Sequence, residues 1–587
     1  TTEIYTLSLH DALPIYWLAA PLSAVIHNCN FWEWPLALLL LGAAWRGWLP
    51  VSGCWVRRAY QCARSPLTAY LSLPLVLLAV RVLLLPFRPL PLPYVPDEWS
   101  HQLLADTLLS GRLANPSHPL WPFFETIHVL PLPAYASMYL PGSALFLAAG
   151  KFLFGSHYGG VLLSCVLMTV AALWALRAWL PPFWAWWATL LITGKVLLNG
   201  SANGYWIHSY WGGAPGALGG ALLLGAAGRL RSTPSLANGL VFGAGLVLLA
   251  ITRPLEGAIL GFAVTAWLFA RFPRAQFRPA CAAVLVLALG GLGLAHFCRA
   301  VTGSPWQLPY FANQQRYGWP MTALWMKPEP KPIIHAKLVD YWEWERNEHT
   351  QIETAAAILQ YAPLKINKQW HHYAGPLLTI PLLALAAAMR SRRVRGLALL
   401  TALGLAVVIT EQSAFPHYFA PFTVAAMAVL AWSCRQWVLR QPRVAVPYLF
   451  WLPAALLVAL IPRSIAPVIE RPEQILRSDG WCCRYGVGAV RERVVQQLER
   501  LGADHVVLVR YSRRDRDFTL DWVYNPPVID SARVVFARDL GEPRNQALRD
   551  YYPNRTFWVA IPDQDPIVVE PYNRLSFQHG NLSPVLP

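Results

Sequence analysis

Apolar segments close to the length of a membrane crossing recur along most of this chain, from Phe31 to Ile465. An α-helix needs roughly 20 apolar residues to cross the hydrocarbon core, whereas a soluble protein of this size would show amphipathic periodicity instead. Residues 466–587 read as water-soluble. The sequence therefore predicts an all-α polytopic membrane domain over residues 16–465, with about twelve transmembrane helices, followed by a small soluble domain.

Charge patterning predicts which side of the membrane each loop faces. The formal net charge of +17 could indicate a nucleic-acid partner. However, many Lys and Arg residues fall in short clusters between apolar segments, as in cytoplasmic loops, so no nucleic-acid partner is expected. The clusters lie at residues 57–64, 229–231, 271–278, 390–395 and 435–443. With these inside, the loops 89–140 and 301–373 and the tail 466–587 face the periplasm of a bacterial inner membrane.

One stretch conflicts with a simple count of crossings. Three apolar segments, near residues 139–154, 161–180 and 183–198, lie between two loops that are both predicted to face outward. Because this requires an even number of crossings, one segment is expected to be re-entrant or interfacial. The first is short and begins near Pro141, so we expect it to be the one that does not cross.

The chain ends carry different signals. Residues 1–15, TTEIYTLSLHDALPI, resemble the in-frame translation of a sequencing adaptor, so we treat them as a scar and expect the natural N-terminus to be missing. In the tail, short β-type runs alternate with helical ones, which predicts an α/β domain with a docking or stabilising role. The strands are predicted at 505–509, 533–536 and 556–560, and the helices at 490–501 and 545–551. Cys482 and Cys483 are expected to be idle thiols or to form a disulfide with another chain.

The acidic pair Asp97-Glu98 follows the apolar run 71–85 directly, in the stretch Tyr94 to His101. Carboxylates at the end of a membrane span indicate a functional site, because they need water, a cation or a substrate to satisfy them. The alternative is that both cap the helix predicted over residues 99–110, whose N-terminus favours anions. Asp97 and Glu98 are the candidate catalytic residues.

Further candidates lie in the segments predicted to face outward. The candidate substrate-binding residues are His101, Glu125, His128, Tyr205, His208, Arg253, Glu256, Arg316 and His417. Arg253 and Glu256 are three residues apart, so they either neutralise one another on one helical turn or leave the Arg to bind a phosphate. The aromatic cluster 205–213 is either an interfacial belt or a wall on which a sugar stacks.

Several short motifs together resemble the first outer loop of the glycosyltransferase C superfamily. They are Val95-Pro96-Asp97-Glu98-Trp99, Leu103-Leu104-Ala105-Asp106, residues 111–116 and Tyr139-Leu140-Pro141-Gly142. The resemblance implies a polytopic enzyme that takes a sugar from a polyprenyl-phosphate carrier, with Asp97 as general base or orienter of the acceptor hydroxyl. Such loops often carry Pro-Pro where this chain has Leu140-Pro141, so contacts to the acceptor are not transferred.

The chemistry of the residues agrees with that resemblance. Sugar transfer from a phosphate carrier needs a carboxylate near the nucleophile and a cationic or hydrogen-bonding group for the departing phosphate. The predicted function is a membrane glycosyltransferase whose donor is a polyprenyl-phosphate-linked sugar and whose acceptor is a lipid, glycan or protein. The alternatives are a glycolipid transporter or flippase, and a polysaccharide polymerase or ligase that uses the loop 301–373. A divalent metal, Mg²⁺ or Mn²⁺, is possible, but the spacing of the candidates is no metal signature.

Overall fold

The fold was analysed in a computed structural model of the chain. It describes residues 29–198, 201–270, 274–318, 335–469, 487–511, 521–564 and 567–572, with a few positions between 319 and 331. The sequencing scar and the Cys482-Cys483 pair lie outside the described residues.

Helices form most of the described chain before residue 470. In chain order they are α1 (Cys29–Trp45), α2 (Gly53–Arg64), α3 (Pro66–Leu83), α4 (Pro96–Leu109), α5 (Pro141–Phe154), α6 (His157–Leu176), α7 (Pro182–Leu191), α8 (Ser201–His208), α9 (Ala214–Ser232), α10 (Leu236–Thr252), α11 (Pro254–Phe269), α12 (Phe277–Thr302), α13 (Pro309–Tyr317), α14 (Ala336–His349), α15 (Ala355–Tyr373), α16 (Gly375–Leu382), α17 (Leu385–Ala388), α18 (Arg392–Ile409), α19 (Thr423–Arg440) and α20 (Pro442–Ile469). A π-helical turn, Ile192–Leu198, continues α7.

Five of the described helices are long and apolar enough to cross a membrane. They are Pro66–Leu83, His157–Leu176, Phe277–Thr302, Ala420–Arg440 and Pro442–Ile461, and shorter apolar helices lie at Glu33–Trp45, Pro141–Phe154, Leu236–Thr252 and Pro254–Phe269. The most exposed large side chains include Leu and Phe residues on these helices, such as Phe262 at 79% and Leu292 at 69%. Exposed apolar side chains on long helices are typical of lipid-facing surfaces, so the structure is that of a multi-pass membrane protein.

Helix α5 lies alongside α4, and contacts to α4 are made from both ends of it. Just before α5 begins, the Tyr139 hydroxyl donates a hydrogen bond to Asp97 of α4. Near its other end, Lys151 donates to Asp106, also of α4, at 2.8 Å. His157, the first residue of α6, contacts the same Asp106 oxygen at 2.8 Å. Both ends of α5 therefore lie beside α4, and the absence of a crossing by α5 stays a prediction.

Close helix packing brings the loop after α18 next to the centre of the bundle. A Cβ added at Gly220 of α9 would lie 2.0 Å from the carbonyl oxygen of Pro421, and one at Gly216 would lie 3.3 Å from Arg253. Small residues allow such approaches between helices in a membrane. The glycines of α9 therefore bring residues 415–422 beside Arg253, at the break between α10 and α11.

The C-terminal part is an α/β domain with a four-stranded mixed sheet of order β5-β4-β6-β7. Its elements are α21 (Val487–Arg500), β4 (His505–Val509), β5 (Val534–Arg538), α22 (Arg544–Tyr551), β6 (Thr556–Ile561) and β7 (Val568–Pro571). Strand β4 is parallel to β5 and β6, whereas β6 and β7 are antiparallel. The predicted strands and helices of the tail are all present, and β7 is an addition.

This domain packs on the segment that carries Asp97. The segment contains a small antiparallel sheet of β1 (Asn115–Pro116), β3 (Ala134–Ser137) and β2 (Val129–Leu130), in the order β1-β3-β2. Apolar side chains from both parts form one cluster that includes Leu103, Phe124, Tyr524 and Val535. Trp99 of α4 stacks on Tyr524, with ring centroids 5.5 Å apart. The C-terminal domain is thus a support for α4.

Candidate active site

The start of α4 is fixed by Glu98. Pro96 occupies the first turn of α4, where its missing N–H costs nothing, and Val95 before it is extended. The Glu98 carboxylate accepts the backbone N–H groups of Tyr94 at 2.7 Å and Val95 at 3.2 Å, and that of Tyr210 at 3.0 Å. Burial raises the pKa of Glu98 to about 7, against the effect of these three hydrogen bonds. Glu98, predicted to be catalytic, thus serves in the structure as a buried helix cap.

Asp97 faces the other way, into a cavity. Neighbouring residues on a helix point about 100° apart, so Asp97 and Glu98 cannot share one surface. Asp97 Oδ1 accepts a hydrogen bond from the Tyr139 hydroxyl at 2.5 Å, and its Oδ2 lies 3.6 Å from His128 Nδ1. The Tyr139 oxygen also lies 3.1 Å from His128 Nδ1. Asp97 is therefore held by two neighbours and keeps a face toward the cavity.

His128 has a backbone conformation that non-glycine residues rarely adopt. Its φ is +62°, and among the described non-glycine residues only His128 and Ala414 have a positive φ. The His128 carbonyl accepts hydrogen bonds from the Ser100 hydroxyl at 2.7 Å and from the Met138 N–H at 3.1 Å. His128 lines the cavity, as do both chain neighbours of Ala414. Strained backbone of this kind clusters at functional sites.

The cavity has a volume of about 540 Å³ and joins parts of the chain that are far apart in sequence. Its ionisable and aromatic lining residues include Asp97, His101, His128, Tyr139, Trp211, Arg253, Glu256, Tyr310, Tyr341, Trp344, Glu345, Glu411, Phe415, His417 and Tyr418. Small-molecule sites commonly measure 300–1,000 Å³ and have mostly apolar and aromatic walls with a few polar groups. The cavity thus has the size and lining of a site for a small polar molecule.

Arg253 supplies a positive charge to this cavity. It lies at the break between α10 and α11, and its Nη1 is 3.9 Å from Glu256 Oε1, at the outer limit for an ion pair. The guanidinium lies over the ring of Tyr418, 4.7 Å from its centroid. Its side-chain donors make no hydrogen bond to any described residue. A guanidinium with free donors at a cavity wall is suited to bind a phosphate.

Two histidines also line the cavity. His101 stacks on Tyr139 with centroids 4.4 Å apart, and its buried Nδ1 has no hydrogen-bond partner among the described residues. Burial lowers the pKa of His101 to about 4, so its ring is neutral at pH 7. The Tyr205 hydroxyl accepts the His417 backbone N–H at 2.9 Å and lies 2.8 Å from His417 Nδ1. Tyr205 does not line the cavity but orients His417.

Besides Tyr205, three more predicted substrate-binding residues lie away from the cavity lining. Arg316 Nη2 is 3.0 Å from Glu125 Oε1, which also accepts the Tyr317 hydroxyl at 2.8 Å. These contacts join the 301–373 segment to the Asp97 segment. His208 is 1% exposed and is buried in the helix bundle. The structure therefore brings Asp97, His101, His128, Arg253, Glu256 and His417 together, and leaves Glu125, Tyr205, His208 and Arg316 outside the lining.

Sequence reasoning missed the contribution of α14. Tyr341 and Glu345 line the cavity, and Glu345 is hydrogen-bonded to Tyr341 and to Gln412. Burial raises the pKa of Glu345 to about 8, and the negative charge of Asp97 contributes to the rise. The acidic sequence DYWEWERNEH resembles a solvated helix. The i, i+4 spacing of Tyr341 and Glu345 was the signal that could have indicated a shared face.

The possible divalent metal has no matching donor set. Among the described residues, no group of three or more His, Cys, Asp and Glu side chains is arranged to hold a metal ion. Asp97 is instead satisfied by Tyr139 and His128.

Comparison with known proteins gives only distant similarities. No protein-family model and no curated protein matches the chain. Among solved structures, ArnT from Cupriavidus metallidurans bound to undecaprenyl phosphate is similar, at 14% identity over 83% of this chain and 92% of that one, with a TM-score of 0.47. The oligosaccharyltransferase AglB from Archaeoglobus fulgidus, in complex with an inhibitory peptide and a dolichol-phosphate, is also similar. Its sequence is 12% identical, the match covers 84% of this chain and 69% of that one, and the TM-score is 0.45. Similarity at this level assigns no residue role or activity to this chain.

Proposed function

We propose that this protein is a membrane glycosyltransferase that moves a sugar from a polyprenyl-phosphate carrier to a hydroxyl group of an acceptor. The observation that carries the proposal is one cavity with a supported carboxylate, Asp97, and a guanidinium with free donors, Arg253. Transfer from a phosphate carrier needs these two groups: a base for the incoming hydroxyl and a cation for the outgoing phosphate.

The reaction follows from that arrangement. Asp97 takes the proton of the acceptor hydroxyl while the acceptor oxygen forms a bond to the anomeric carbon of the sugar. The bond between that carbon and the phosphate oxygen breaks, and the bonding pair leaves with the phosphate. The carrier thereby changes from a phosphodiester with one negative charge to a monoester with up to two. Arg253, with the neutral rings of His101 and His417 nearby, offers donors to this growing charge.

The aromatic wall suits a sugar. Tyr139, Trp211, Tyr310, Phe415 and Tyr418 line the cavity, and aromatic faces pack on the apolar faces of pyranose rings. The acceptor is a lipid, a glycan or a protein. In this proposal Glu98 contributes by holding the start of α4 in place. Glu125 and Arg316 contribute by holding the 301–373 segment against the Asp97 segment.

Membrane placement completes the proposal. Counting α5 as non-crossing and α2 as interfacial leaves about twelve crossings, which puts the Asp97 segment, the 301–373 segment and the C-terminal domain on one side. That side is the periplasmic face of a bacterial inner membrane, where a lipid-linked sugar meets periplasmic acceptors.

A polysaccharide polymerase or ligase is the second candidate, and one observation supports it. Tyr341 and Glu345 of the 301–373 segment line the same cavity as Asp97, so that segment contributes to the site. In this version the acceptor is a growing glycan and the chemistry at Asp97 is unchanged. The length of the product distinguishes the two candidates.

The test is transfer of radiolabelled sugars from a panel of polyprenyl-phosphate donors to components of a membrane extract. We expect one donor to label an acceptor when the purified protein is added and no labelling when Asp97→Asn is added. Asp550→Asn, which alters an exposed aspartate of α22, is the matched control and should label normally. Absence of transfer from every donor, or equal transfer by Asp97→Asn, would contradict the proposal.

A further inference from the structure

A continuous line of polar contacts leads from Asp97 across the cavity wall to Glu345. The Tyr139 oxygen is 2.5 Å from Asp97 Oδ1 and 3.1 Å from His128 Nδ1. On the other side of the imidazole, His128 Nε2 is 2.7 Å from the Tyr341 hydroxyl. Tyr341 interacts in turn with the Glu345 carboxyl, one helical turn further along α14, and both side chains line the cavity. Three separate segments of the chain thus meet in one line of five side chains.

One order of the hydrogens along this line supports transfer of a proton from Asp97 toward Glu345. In this order the ionised Glu345 carboxylate accepts from the Tyr341 hydroxyl, and the Tyr341 oxygen accepts the hydrogen of His128 Nε2. His128 Nδ1 then has a free lone pair, which faces the Tyr139 hydroxyl. Once Asp97 is protonated it can donate to the Tyr139 oxygen, and Tyr139 can turn its own hydrogen to His128. Every donor then has an acceptor.

The ring of His128 is held in place for this task. The left-handed backbone at His128 is fixed by two hydrogen bonds to its carbonyl, one of them from Ser100 of α4. Tyr139 and Tyr341 both make edge contacts with the imidazole, with ring centroids 5.5 and 5.2 Å away. A buried polar network in which each member is satisfied is rigid and favours one geometry.

Resting on the proposed function, we infer that Tyr139, His128 and Tyr341 relay the acceptor proton from Asp97 to Glu345, which stores it during sugar transfer. The proton leaves the acceptor oxygen for Asp97, and each relay member gives up one proton and gains one. At the end Asp97 is ionised again and Glu345 is neutral. The relay thus returns the base to its starting charge while the phosphate beside Arg253 takes up the negative charge.

The surroundings of Glu345 support this role. Burial and the charge of Asp97 raise the pKa of Glu345 to about 8, near the value that suits a proton acceptor at neutral pH. The groups that act on Glu345 are Asp97 across the cavity, Tyr341 on the same helix, and Gln412. Two further charged groups, Glu411 and Arg253, line the same cavity. Below pH 8 the ionised fraction of Glu345 rises with pH, and the rate should rise with it from the floor set by transfer that does not use the relay.

The test measures transfer rate against pH, from 5.5 to 9, with a radiolabelled polyprenyl-phosphate sugar and membrane extract. We expect the wild-type rate to rise toward pH 8 and then level off. Glu345→Gln should be about tenfold slower at pH 8, less than the roughly hundredfold loss expected for Asp97→Asn, and its profile should be flat. Tyr341→Phe should give the same flat profile although Glu345 is present, and Glu345→Asp should restore part of the slope.

Glu343→Gln is the matched control, because it removes the same charge from an exposed position of α14. It should keep the wild-type rate and profile. The relay is overturned if Glu345→Gln and Tyr341→Phe keep the wild-type dependence of rate on pH. It is also overturned if both variants lose rate while the shape of that dependence stays unchanged, because such a loss would be a structural effect. If the wild-type protein transfers no sugar from any donor, the proposed function fails instead.

Discussion

The ion pair between Arg538 and Asp521 joins the C-terminal domain to the segment that carries Asp97. Arg538 Nη2 is 2.6 Å from Asp521 Oδ2, and both side chains are almost fully buried. Arg538 Nε also donates to the Glu125 carbonyl at 2.6 Å, and Asp521 accepts the Thr126 hydroxyl at 2.8 Å. The pair therefore holds residues 125–126, directly before His128.

Asp521→Ala should destabilise the protein strongly, because Arg538 would remain buried without its counter-charge. Breaking a buried pair in this way typically costs about 3–5 kcal/mol. The Thr126 and Tyr511 hydroxyls, which both donate to Asp521, would lose their acceptor as well. Transfer activity should fall with stability, because the support of His128 and α4 is weakened.

The assay is thermal unfolding in detergent, combined with limited proteolysis of the C-terminal domain. Asp530→Asn is the matched control: that carboxylate is 46% exposed and pairs with His118, so its loss should cost less than about 1 kcal/mol. Replacing the pair by Asp521→Leu with Arg538→Met should recover much of the stability, since apolar substitutes of similar volume are often tolerated. Asp521→Ala within about 1 kcal/mol of wild type would refute the reasoning.

Acid should weaken the same pair. Burial alone would raise the pKa of Asp521, but the charge of Arg538 and the hydrogen bonds to Asp521 outweigh it and hold that pKa below the ordinary value. The stability that this carboxylate contributes is therefore present above the ordinary aspartate pKa and is lost only as the pH falls through the lowered value.

Three further predictions concern other parts of the account. Arg253→Ala should weaken binding of a polyprenyl phosphate more than Arg253→Lys, because a positive charge alone still attracts the phosphate; equal affinity in both variants would favour a neutralising pair with Glu256. Glu98→Gln should slow transfer less than Asp97→Asn, since the Glu98 carboxylate contacts backbone N–H groups. Comparable losses of rate in the two purified, folded variants would support a catalytic role for Glu98. A cysteine at the exposed Ser110 should react with a membrane-impermeant thiol reagent in intact spheroplasts, and a phosphatase fused after Pro587 should be active in the periplasm. Labelling of the cysteine only after lysis would place the Asp97 segment on the cytoplasmic side instead.

Local patterns in the sequence predicted much of this structure. The strand predicted at 505–509 matches β4, and the helix predicted at 545–551 matches α22 to within one residue. That α5 does not cross the membrane stays a prediction from the basic clusters and segment lengths. These features depend on periodicity and charge along a short stretch, which a single sequence records directly.

Contacts across the chain could not be predicted in the same way. The sequence indicated two catalytic carboxylates at 97 and 98, but only the turn before α4 and the contact with Tyr210 show that Glu98 faces inward. Glu125 and Arg316 were both predicted to bind substrate, yet they bind each other across 191 positions. Glu345 was missed because its place in the cavity depends on how α14 packs against the Asp97 segment. Local spacing carries no record of such packing.

The central claim is that Asp97 is the base of a sugar transfer whose phosphate is held elsewhere in the cavity. The most direct measurement separates donor binding from transfer in purified Asp97→Asn, using the radiolabelled polyprenyl-phosphate sugar that the wild-type protein uses. We expect donor affinity to stay within about threefold of wild type, since phosphate binding depends on Arg253, while single-turnover transfer falls roughly hundredfold or more. Transfer by Asp97→Asn at near the wild-type rate would contradict the account.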